Sequence, residues 1–169
     1  MQARAIVLAI LFVAFLTPLS AQEDVRIDGR LQPILDEFFE QCKKYDIPFH
    51  KKLFQLKNID IVKNLPLAEE NTVLGMVVRN ESGEAVKIAI SWAAMLDPEI
   101  LKVVAFHEFA HHFLDYKHTC QDCNEIMAVT NTSYFDIVRD WDDQVKQLFI
   151  SSPRYLALQK LKTIATAYD

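Results

Sequence analysis

The segment from Asp97 to Lys117 constrains the fold of this chain more than any other part of the sequence. Asp97 is a favourable N-cap and Pro98 suits a first helical position, so we expect a helix from Pro98 to about Tyr116 or Lys117. Apolar residues occupy nearly every side of this helix. A helix that is apolar almost all round is buried, so this one should lie in the core of the fold.

Four of the five histidines lie between positions 107 and 118, and His107, Glu108 and His111 spell the motif HExxH. Helical residues four apart are separated by about 40° around the axis and about 6 Å along it, so both imidazoles can reach one zinc ion. Glu108 can reach a water molecule on that metal, which suits the role of general base. Two buried histidines and a buried glutamate need partners, and a cation with a water provides them.

Composition limits the class of protein. The chain has 169 residues, of which 51% are hydrophobic and 24% charged, with a formal net charge of −5. These values argue against a disordered chain and a polytopic membrane protein, and the length suits a single domain. Because no block of lysine and arginine is present to neutralise phosphates, we expect no nucleic-acid partner.

The N-terminus is typical of an export signal. Arg4 precedes an apolar run from Ala5 to Leu16, and small residues precede Gln22, so residues 1–21 are predicted to be a cleaved signal peptide. The run is shorter than the roughly 20 residues of a membrane span, so no stable membrane insertion is expected after cleavage. The remaining domain, residues 22–169, would be secreted or periplasmic.

Export makes the three cysteines candidates for oxidation, and their odd number leaves at least one thiol over or paired between chains. The sequence favours either a local disulfide between Cys120 and Cys123 or a disulfide from Cys42 to one of these two.

Periodicity outlines the remaining elements. The predicted elements are an amphipathic helix from Leu31 to Tyr45, a short strand at Ile59–Val62, a hairpin of Thr72–Val78 and Ala85–Ser91, and helices at Asn124–Thr130, Tyr134–Ile150 and from Pro153 onward. We therefore predict an α+β domain in which a small, mostly antiparallel sheet packs on the buried helix and is followed by C-terminal helices.

From Thr72 to Ala128 the chain resembles the HExxH zinc metallopeptidases, the zincins. The resemblance rests on the hairpin that ends in Lys87–Ser91, on His107-Glu108-Phe109-Ala110-His111, and on a following element that opens with Asn124-Glu125. The order of the N-terminal helix and hairpin is also similar to that of SprT-like minimal proteases. The resemblance implies a minimal zincin-like fold with Zn²⁺ as the cofactor.

Zincin sites need a third ligand, and two residues are candidates here. Metzincins carry Gly and His three and six residues after the second motif histidine, where this chain has Leu114 and Lys117. Gluzincins take a glutamate from a following helix, and Cys123–Ala128 resembles that element. The resemblance therefore implies Glu125 as the third ligand, with His118 as the alternative.

Other side chains near the motif have candidate roles. Tyr134 or His118 could stabilise an oxyanion, and Asp136 or Asp140 could orient a ligand imidazole. His112 lies about 100° round the helix from His111, so it should point away from the metal.

The zincin resemblance also implies that an extended substrate pairs with an edge strand carrying Lys87, Ala89 and Ser91. The predicted function is thus an exported zinc-dependent endopeptidase, which hydrolyses a protein or peptide substrate with a zinc-bound water that Glu108 activates. Two alternatives are an inactive zinc-binding module and an exported α+β interaction domain in which HExxH is accidental.

Overall fold

The computed structural model of the chain describes residues 24–65, 73–131 and 133–167. In chain order its elements are β1 (Arg26–Ile27), α1 (Gln32–Lys44), α2 (His50–Leu53), β2 (Asn58–Val62), β3 (Gly75–Arg79), β4 (Ala85–Ser91), a 3₁₀ turn (Trp92–Leu96), α3 (Pro98–Phe113), β5 (Cys120–Asp122), β6 (Ala128–Thr130), α4 (Tyr134–Arg139), α5 (Trp141–Ile150) and α6 (Pro153–Thr166). The α+β class is as predicted. The predicted signal peptide lies outside the described residues.

The main sheet has four strands in the order β1-β2-β4-β3. The pairings β1·β2 and β2·β4 are parallel, and only β3·β4 is antiparallel. The prediction of a mostly antiparallel sheet is therefore wrong. Parallel pairs need a long stretch of chain between their strands, which residues 28–57 provide between β1 and β2 and residues 63–84 between β2 and β4, whereas β3 and β4 form the predicted hairpin.

The strand order also shows that the strand predicted to bind substrate is not at the edge of the sheet. Lys87, Ala89 and Ser91 lie on β4, which pairs with β2 on one side and with β3 on the other. Because both sides of β4 are used, it cannot receive another strand. Among the described residues no strand pairs with the outer side of β3. Strand β3 is therefore the edge of the sheet next to the helix that carries the HExxH motif.

The buried helix α3 lies between the sheet and α1. Asp97 caps its N-terminus by accepting a hydrogen bond from the Glu99 N–H at 2.7 Å. Phe106, Phe109 and Phe113 on α3 pack around Phe38 of α1, with ring centroids 5.3, 5.6 and 5.8 Å away. This aromatic cluster fixes α3, and with it the HExxH motif, in the interior.

Helix α3 ends at Phe113, a few residues earlier than predicted. The chain turns because Asp115 adopts a left-handed conformation with φ 60°, which aspartate tolerates better than most residues. The N–H of Leu114 and the N–H of Tyr116 both donate to the Ala110 carbonyl and close the helix end.

The region after Cys123 departs most from the sequence prediction. The helix predicted at 124–130 is wrong: Cys120 and Cys123 form a disulfide, and Ala128–Thr130 pairs with Cys120–Asp122 as a two-stranded parallel sheet. The helix predicted at 134–150 is two helices, with a break at Asp140, whereas the helix from Pro153 is confirmed. No helix in the described ranges is both long and apolar enough to cross a membrane.

Candidate metal centre

Three histidine side chains converge on one point beside α3. The Nε2 atoms of His107 and His111 are 2.9 Å apart, and Nε2 of His118 lies 3.2 Å from each. His107 and His111 project from the same face of α3, one helical turn apart, as the HExxH spacing predicts. His118 reaches them from the irregular segment that follows the helix.

Hydrogen bonds on the far side of two rings determine which nitrogen is free. Nδ1 of His107 lies 2.6 Å from the Ile126 carbonyl oxygen, and Nδ1 of His111 lies 2.9 Å from the Tyr116 carbonyl oxygen. A carbonyl oxygen only accepts, so each Nδ1–H must donate. In the neutral rings both Nε2 atoms therefore keep an unprotonated lone pair, the arrangement usual for histidine ligands of a metal.

Burial keeps these rings neutral. Desolvation lowers the pKa of His107 to about 4, although its bond to Ile126 acts in the opposite direction. The pKa of His111 is lowered as well, again mainly by burial. At neutral pH the two lone pairs thus face each other without a proton between them, an arrangement that a cation would stabilise.

The donor set fits a metal ion. Three imidazole nitrogens at about 2.0–2.1 Å from a tetrahedral ion would lie roughly 3.3 Å from one another. The separations of 2.9 to 3.2 Å are close to this value. His107, His111 and His118 could therefore hold a metal ion with one coordination position left for water or substrate.

The structure brings His118 to the triad and does not bring Glu125. The Glu125 carboxylate accepts a hydrogen bond from the Thr119 hydroxyl at 3.0 Å and lies in a separate group with Cys120 and Cys123. The chain turns at the left-handed Asp115 after α3, and His118 lies three residues beyond this turn. Glu125 instead holds Thr119, the neighbour of His118.

Glu108 lies in the interior beside the triad, with its side chain against β3. Only 5% of the residue is exposed, and burial raises the pKa of its carboxyl to about 8. A Cβ atom placed on Gly75 would lie 2.7 Å from Cγ and 2.8 Å from Oε1 of Glu108. The missing side chain at Gly75 thus leaves the space that Glu108 occupies. A glycine inside a predicted strand was the available sequence signal of this close approach.

A cleft of about 730 Å³ opens onto these residues. Strand β3 lies along one side, Ala128–Asn131 along another, and His107, Glu108, His111 and His118 are among its lining residues. Tyr134, predicted as an oxyanion stabiliser, also lines the cleft, and burial raises the pKa of its phenol. The phenol therefore stays protonated at neutral pH and keeps an O–H to donate.

The predicted orienting residues have other partners. Asp136 and Asp140 both pair with Arg139, and backbone carbonyls orient the imidazoles instead. A carbonyl partner cannot be recognised from residue type, so the sequence offered no signal for it.

His112 points away from the triad, as predicted, and belongs to the support of the helix end. Its Nε2 lies 2.8 Å from the Lys52 carbonyl oxygen, and the Lys52 ammonium donates to the His112 carbonyl oxygen at 2.7 Å. Lys52 also pairs with Asp115, so α2 is tied to the turn that carries the chain toward His118.

The cysteines complete the region. The local disulfide between Cys120 and Cys123 is one of the two predicted pairings, and Cys42 is a free, buried thiol on α1. Burial raises the pKa of Cys42 to about 12, so it is protonated and packs as an apolar group.

Comparisons with protein-family models, with curated proteins and with solved structures each found no match for this chain.

Proposed function

We propose that this chain is an exported zinc-dependent endopeptidase. The observation that carries the proposal is the convergence of three histidine Nε2 atoms beside a buried glutamate in one open cleft. Three imidazoles with one open position are the ligand set of a catalytic zinc site, whereas structural zinc sites are usually closed by four protein ligands.

In this proposal His107, His111 and His118 hold the zinc. Bound zinc would supply Lewis-acid polarisation of a peptide carbonyl and would lower the pKa of a water molecule. Glu108, as carboxylate, would take a proton from the attacking water and pass it to the leaving amine. In the metal-free protein burial raises the pKa of Glu108 to about 8, and a cation bound beside it would lower that pKa and favour the carboxylate that accepts the proton.

The edge strand β3 supports a peptide as the substrate. Gly75–Arg79 lines the cleft, and an extended peptide added to its outer side would run past Glu108 and the three histidines. Backbone hydrogen bonds to such an edge bind a peptide with little dependence on its sequence. Tyr134, with its protonated phenol, is the proposed donor to the developing oxyanion.

Export remains part of the proposal. The sequence of residues 1–21 is typical of a signal peptide, and a disulfide between Cys120 and Cys123 is usual in oxidising compartments outside the cytosol. The proposed location is therefore the periplasm or the extracellular medium.

The test is zinc content together with hydrolysis of an unstructured protein such as casein. We expect about one zinc per chain, hydrolysis that a chelator abolishes and zinc restores, and a Glu108→Gln variant that binds zinc but loses at least about 100-fold in rate. Glu125→Gln is the matched control, since it changes a nearby glutamate outside the triad and should keep both properties.

Each alternative predicts a different outcome. One zinc per chain without hydrolysis of any unstructured substrate would identify an inactive zinc-binding module. Less than a tenth of an equivalent of zinc would support an interaction domain in which HExxH is accidental.

A further inference from the structure

Arg79 is a cation that lines the cleft, and the proposed mechanism of peptide hydrolysis gives it no role. It is the last residue of β3 and is exposed, and its side chain lines the same cleft as His111 and Glu108. Apart from the histidines and two tyrosines, Arg79 and Glu108 are the ionisable side chains among the described residues that line the cleft, and Glu108 is buried. The other lining residues are apolar or neutral, including Tyr116 and Tyr134, whose raised pKa keeps their phenols protonated.

The guanidinium of Arg79 has hydrogen-bond donors that are available for a ligand. Its Nη1 donates to the Gly83 carbonyl at 3.0 Å, which holds the side chain against the β3-β4 turn. Within the described ranges no carboxylate lies within 4.0 Å of it, whereas Arg26, Arg30, Arg139 and Arg154 all have carboxylate partners. A guanidinium has five N–H donors in a planar fork that matches a carboxylate.

Arg79 also shares the cleft with the candidate metal centre. His107, His111 and His118 line this cleft together with Arg79. Since Arg79 and Gly75 are at opposite ends of β3, a peptide along this edge would run from the Glu108 contact toward the guanidinium.

From these observations we propose that Arg79 binds a carboxylate of the substrate, so that the cleft selects peptides with an acidic side chain or a free C-terminus at the Arg79 end of β3. This inference rests on the proposed function for its substrate class. The protein as a whole carries a net charge of −5, so attraction of an acidic peptide requires a local positive group such as this one.

The experiment compares matched quenched fluorescent peptides that carry Glu, Gln or Lys at each position in turn, with either a free or an amidated C-terminus. With wild-type protein we expect kcat/KM to be about tenfold higher for one acidic position, or for the free acid, than for its neutral match. Which of the two peptide series shows the effect identifies the source of the carboxylate.

Arginine variants then assign the preference. Arg79→Gln should bring the acidic-to-neutral ratio close to one, and Arg79→Glu should favour the Lys peptide at the same position. Arg26→Gln, which removes an exposed arginine from the opposite edge strand, should leave the ratio unchanged. An undiminished acidic preference in Arg79→Gln, or no acidic preference in the wild type, overturns the inference.

Binding separates this inference from the proposed function. The same peptides are titrated into zinc-loaded wild-type protein and the Glu108→Gln variant, and affinity is read by fluorescence anisotropy. Preferential binding of acidic peptides that Arg79→Gln abolishes would support the Arg79 site even if no peptide is cleaved. Cleavage without charge preference would keep the peptidase proposal and reject the Arg79 site.

Discussion

Gly75 and Glu108 are in direct contact, and a single methyl group at Gly75 would occupy the space of the Glu108 side chain. The added Cβ would approach Cγ to 2.7 Å and Cδ to 3.0 Å, distances at which one of the groups must move. Strand β3 thus fixes the depth and direction of the proposed general base, in addition to offering an edge for a peptide.

We therefore expect Gly75→Ala to displace Glu108 and to reduce kcat by about 100-fold, because small misplacements of a catalytic group are costly. Zinc affinity should change little, since none of the three histidines contacts the added methyl among the atoms closest to it. Steady-state kinetics and zinc content measure the two effects. Gly29→Ala is the matched control, as its Cβ would meet nothing within 4 Å. Equal activity of the two alanine variants would show that Gly75 does not position Glu108.

The third ligand is tested by removing each candidate. His118→Ala should lower zinc affinity by at least about 100-fold, because two imidazoles alone form a poor site. Glu125→Ala should keep zinc affinity within a few-fold, as it loses only the bond to the Thr119 hydroxyl. Competition with a chromogenic zinc chelator measures both constants. Loss of zinc in Glu125→Ala with retention in His118→Ala would reverse the assignment.

The pKa of Glu108 predicts how stability depends on pH in the metal-free protein. The folded-state pKa is raised to about 8 from the ordinary value of 4.5, so between these values the folded protein holds a proton that the unfolded chain has released. The free energy of unfolding should therefore fall as pH rises through this window. Glu108→Gln removes this loss, and we expect the variant to be more stable than wild type at pH 8 by on the order of 3 kcal/mol.

Urea denaturation in the presence of a chelator, at pH 4 and pH 8, measures this difference. The stability difference between the two proteins should be smaller at pH 4, where Glu108 is mostly protonated in both states. His107 contributes in the opposite direction, since its lowered pKa costs stability as pH falls from 6.5 toward 4, but it does so in both proteins and cancels. If the difference in free energy of unfolding between wild type and Glu108→Gln does not change with pH, Glu108 is not buried and protonated as described.

The aromatic cluster around Phe38 should account for much of the stability of the core that holds α3. Phe38 is fully buried, and its ring also lies 5.1 Å from that of Phe149. Phe38→Ala is expected to lower the free energy of unfolding by about 4 kcal/mol. Phe135→Ala is the control, because that side chain is 66% exposed and should contribute little. Similar losses in both variants, measured by urea denaturation, would argue against the described packing.

The parts of the fold that could be predicted from sequence are those with a strong local signal. Helix α1 and the β3-β4 hairpin follow hydrophobic periodicity, and the start of α3 follows its cap and proline. The two- and three-residue strands β1, β5 and β6 were missed because a period cannot be read from so few residues. The parallel pairing of β2 with β4 depends on long-range contacts that no local pattern encodes.

In the candidate site, too, the residues with a local sequence signal could be predicted and those placed by long-range contacts could not. His107, Glu108 and His111 could be predicted because their spacing alone puts them together on a helix. The choice between Glu125 and His118 depends on the path of the chain after α3, which turns at the left-handed Asp115 and which no local sequence pattern encodes. Gly75 and Arg79 reach the cleft through the pairing of β3 with β4, so their roles emerge only from the three-dimensional arrangement.

The central claim is that His107, His111 and His118 together bind one zinc ion, and zinc K-edge X-ray absorption of the zinc-loaded protein tests it most directly. We expect three imidazole nitrogens and one further light ligand at about 2.0–2.1 Å, with one imidazole lost from the spectrum in His118→Ala. A sulfur ligand at about 2.3 Å, or a wild-type spectrum with fewer than three imidazoles, would contradict it.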